Sequence, residues 1–136
     1  MATKSELDAL ISQAKAKINK YKKTISDCDD KIDRLKPVYK ELSEIKDRFK
    51  ESRNSTKEIF AEKGTWRGEK QTAFRNAGDA LDSSYKAYYQ RLDAAHDAVN
   101  RKIADLKAKK RELTPLIGDL WGNITRWQAE LQNLGN

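Results

Sequence analysis

The chain has 136 residues, with 28 Lys and Arg against 21 Asp and Glu and a formal charge of +7. At 38% hydrophobic and 36% charged, it suits long helices that each bury one narrow stripe better than a compact globule. The single cysteine, Cys28, excludes a disulfide framework, one Cys with one His (His96) cannot build a structural zinc site, and no apolar run is long enough to span a membrane.

The first residues, MATKSELDALISQ, contain no apolar core of the secretory type, so no conventional signal peptide is expected. Thr3 and Glu6 stand at capping-box spacing and predict a helix start near residue 4. From there Leu7, Ile11, Ala14, Ile18, Tyr21, Ile25, Cys28, Ile32, Leu35, Tyr39, Leu42, Ile45 and Phe49 step by four and three, the repeat of a coiled-coil seam. Pro37 lies inside this series, which continues in phase beyond it, so a kink is expected and not an end. Ser55-Thr56-Lys57-Glu58 is a second possible cap, where the first helix is open to breaking and restarting near Ile59. Gly64-Thr65-Trp66-Arg67-Gly68 is the best place for the chain to reverse.

A second series runs Phe74, Gly78, Leu81, Tyr85, Tyr88, Leu92, Ala95 and Val99, then from Ile103 through Leu106, Lys110, Leu113, Ile117, Leu120, Ile124, Trp127 and Leu131 to Leu134. The extra step of four between Val99 and Ile103 is a stutter in register. Pro115 should again kink the helix without ending it, and Gly135 suits a helix end. The expected fold is all-α: one domain over 1–136, a long, coiled-coil-like antiparallel two-helix hairpin. Its helices cover about 4–62 and 70–134, with a turn over about 63–69 that carries the Trp-x-Gly letters. With the reversal centred near Trp66, opposed residues should have numbers summing to about 132.

Such a hairpin has one thin seam, weakened here by Ala14, Tyr21, Cys28, Tyr39, Gly78 and Lys110. Leu10, Val38, Tyr89, Leu116 and Trp121 lie off it, so a further helical surface is expected to dock. No metalloprotease, phosphate-loop or nucleophile-elbow motif is present, and no enzyme is expected. Cys28 reads as a small buried hydrophobe and His96 as a flank residue. No catalytic residue, cofactor site or metal site is assigned.

Lys15, Lys17, Lys20, Lys22 and Lys23 form one basic run, and Lys107, Lys109, Lys110 and Arg111 another. The expected register places Lys22 across from Lys110 and would merge the runs. Asp27, Asp29, Asp30 and Asp33 blunt that field, and no stacking aromatics interleave, so an acidic protein partner is favoured over nucleic acid. Trp127 is in phase with the seam and reads as core. Trp121 is one residue off phase and, with Leu81, Tyr85 and Leu92, is a candidate partner contact; Trp66 in the turn is a candidate anchor.

A helical hairpin that turns on Trp66-Arg67-Gly68, with no leader upstream, resembles the WXG family of type VII secretion. The resemblance covers the whole chain and is strongest to the small WXG-like proteins encoded beside LXG toxins, which act as targeting factors or chaperones. It implies binding to the helical N-terminal domain of an LXG-domain toxin, with a second small WXG-like helical protein as a further partner. It also implies presentation to the membrane-bound secretion ATPase through a composite signal. Trp66 and Gly68 would supply one half of that signal. Tyr89-Gln90-Arg91-Leu92-Asp93 carries the letters of the other half, at Tyr89 and Asp93, although the family's copy usually follows the second helix. The implied location is the cytoplasm, with co-secretion by the leaderless route open, and neither membrane insertion nor nucleic-acid binding is implied. A homodimeric structural coiled coil is the alternative, followed by a basic nucleic-acid-binding hairpin.

Overall fold

In the computed structural model of the protein, residues 2–62 and 69–135 are described, without the side chains of 60–62 and 69–71. The chain is an all-α hairpin of two helices packed against each other, α1 (Lys4–Glu62) and α2 (Glu69–Leu134). The capping box forms as expected. Thr3 Oγ1 accepts from the Glu6 N–H at 3.1 Å and Glu6 Oε2 accepts from the Thr3 N–H at 3.3 Å. At the other end the Gly135 N–H donates to the Leu131 carbonyl at 3.1 Å, closing the last turn of α2. Both helices run on through their prolines, Pro37 and Pro115. α1 does not break near Ile59: the Thr56 hydroxyl bonds back to the Ser52 carbonyl at 2.9 Å and does not cap a new helix.

The chain divides into two compact units, each made from a stretch of both helices. The first joins residues 1–34 to 103–136 and is a dry seam. Leu7, Ile11, Ala14, Ile18, Cys28 and Ile32 of α1 are buried there, as are Ile103, Leu106, Leu113 and Ile124 of α2. Ile11, Ala14, Ile18 and Ile124 form its centre, and Ile117, Leu120, Trp127 and Leu131 pack around them, so Trp127 joins the core as its phase requires.

The second unit, residues 35–102, has no fully buried side chain among the described residues. Here the apolar series of α2 coincides only in part with the face turned to α1: Phe74, Gly78, Tyr85, Leu92 and Val99 are half-buried. Leu81, Tyr88 and Ala95 are exposed, while Asp82, Tyr89 and His96, each one residue later, are half-buried. Polar pairs share this face with the apolar groups. Arg53 binds Asp82 through two nitrogens at 2.7 and 3.1 Å, and Lys46 Nζ lies 2.5 Å from Asp93. Both pairs are better satisfied than an apolar stripe that keeps strict seam spacing would allow.

The register also differs from the expected sum of 132. Opposed numbers sum to 134 at Phe49 and Tyr85, 139 at Asp29 and Lys110, and 143 at Lys22 and Trp121. The sum rises from 134 in the second unit to 143 in the first, so one register does not hold along both helices.

Candidate functional site

The sequence assigns no catalytic residue, and the candidate site is the surface that the two-helix packing leaves uncovered. In the second unit two large apolar groups of α2 in the seam series, Leu81 and Tyr88, face outward. Leu81 is 41% and Tyr88 54% exposed. Beside them Phe49 of α1 meets Tyr85 edge-on, ring centroids 5.0 Å apart, and stacks on Tyr88 at 5.2 Å. Phe49, Leu81, Ser84, Tyr85 and Tyr88 line a groove of about 220 Å³. Tyr85 is tied across to α1 by its hydroxyl, 3.2 Å from Ser52 Oγ, and the hydroxyls of Ser52 and then Thr56 hold its phenol below the ordinary range.

The predicted contacts therefore have different positions. Leu81 is displayed, whereas Tyr85 and Leu92 are half-buried against α1. Tyr88 is the most exposed aromatic of the groove, although its place in the apolar series put it in the seam. Its exposure depends on the rotation of α2, for which the sequence carries no direct signal. Trp121, in the first unit, is 43% exposed with Lys22 Nζ 5.6 Å from its ring centroid. That cation–π contact leaves Lys22 across from Trp121. Lys110 instead pairs with Asp29, so the expected Lys22–Lys110 junction of the basic runs does not form. A second cavity, about 770 Å³, lies along Ala104, Lys107, Lys110, Arg111 and Pro115, where one of the three cations is already taken by Asp29.

Tyr89 and Asp93 both face Lys46, whose Nζ lies 5.5 Å from the Tyr89 ring centroid and bonds Asp93. The hydrogen bond to Lys46 holds the Asp93 carboxyl below the usual carboxylate range and raises the Lys46 ammonium above its own. In the same way Arg53 lowers Asp82. Trp66 and Gly68 lie outside the described residues.

His96 is not a flank residue. Its ring stacks on Tyr39 with centroids 4.2 Å apart, and Nε2 lies 2.8 Å from Ser43 Oγ. The Ser43 hydroxyl donates to the Tyr39 carbonyl at 3.1 Å, so the imidazole N–H is the donor to Ser43. Cys28 is 5% exposed and fills the seam as a small hydrophobe. Among the described residues no group of three or more His, Cys, Asp or Glu side chains is placed to hold a metal ion, and no helix is long and apolar enough to cross a membrane.

A family model described as YwqH-like matches residues 9–134. No curated protein and no solved structure matches the chain.

Proposed function

Because the chain belongs to the YwqH-like family, we propose that it is a non-enzymatic targeting factor or chaperone for an LXG-type toxin, helping to deliver it to a type VII secretion system. The family match, which spans 9–134 of 136 residues, carries this reading, since YwqH-like proteins are small helical proteins associated with LXG toxins. The physical support is the exposed apolar surface. Leu81, Tyr88, Leu116 and Trp121 are each 39–54% exposed, as are Leu10, Val38, Ile59 and Leu134 to a similar degree. Burying such groups against the helical N-terminal domain of the toxin would drive association, and charge pairs would set register and partner choice. A second small WXG-like protein is a further partner in this reading, and Trp66 with Gly68 forms its half of the export signal to the secretion ATPase. Tyr89 and Asp93 would serve as the other half only where Lys46 releases them.

The test is co-expression with the helical N-terminal domain of the LXG protein encoded nearest its gene, followed by size exclusion. Co-elution of the two chains is the expected result, and separate elution overturns the proposal. In the producing cell Trp66→Ala should leave helicity and co-elution intact and reduce toxin export.

A further inference from the structure

We draw no further inference here: the strongest candidate, the apolar groove that Phe49, Leu81, Ser84, Tyr85 and Tyr88 line in the second unit, is an unpartnered face, and nothing in the structure shows what covers it.

Discussion

At the residue scale the most consequential side chains are the small set with no solvent contact. Ile18 and Ile124 are each 1% exposed and touch the same cluster, so deleting one leaves a cavity that two helices cannot close. Ile18→Ala should cost about 2–5 kcal/mol, read as a fall in the denaturant midpoint with an unchanged slope. Single residues also show how far local sequence can be trusted. Thr3 and Glu6 meet in their capping box because the bond is local, three residues apart in one turn. His96 could not be placed from its neighbours, because Tyr39 and Ser43, which hold it, belong to the other helix.

At the scale of the element, two ion pairs link α2 to α1 in the second unit, and their titration should be visible. Asp82 and Asp93 have carboxyls lowered by Arg53 and Lys46. A carboxylate of this kind adds stability above its unfolded pKa of about 3.9, and loses it as the pH falls through its folded value. Lys46 is raised, so on the alkaline side its contribution persists to about pH 10 and is lost only as the pH passes its folded value. Thermal melts should therefore show a plateau between these limits and a fall in midpoint on acidification below about pH 4. Asp82→Asn/Asp93→Asn should lower the neutral midpoint slightly and flatten the acid fall. An acid fall as steep as that of wild type would show that other carboxylates carry it. Both pairs are partly exposed, so a modest change is expected.

At the scale of the whole molecule, full burial belongs to one unit among the described residues, while exposed large apolar groups occur in both. Every fully buried apolar side chain among the described residues lies in 7–32 or 103–124, and the exposed Leu81 and Tyr88 lie in 35–102. Hydrogen exchange should follow this division. The slowest amides should fall in the first unit, with those of 40–58 and 74–100 exchanging faster by about tenfold or more, because local opening there exposes little apolar surface. Uniform protection along both helices would contradict it.

The sequence by itself determined the helices, their ends and the hairpin. Seam spacing, the cap at Thr3 and the glycines act within a few residues, and no strand pattern competes with them. It placed Ile18 and Cys28 on the seam, where both are buried, but gave no sign that full burial would be confined to 7–32 and 103–124 among the described residues. Register and rotation were decided only in the tertiary structure. They depend on Lys46 finding Asp93, Arg53 finding Asp82 and Asp29 finding Lys110, contacts between residues at least 29 apart that local periodicity cannot encode. With Asp82, Tyr89 and His96 half-buried where Leu81, Tyr88 and Ala95 are exposed, the groove of Phe49, Leu81, Ser84, Tyr85 and Tyr88 exists only once the helices have met.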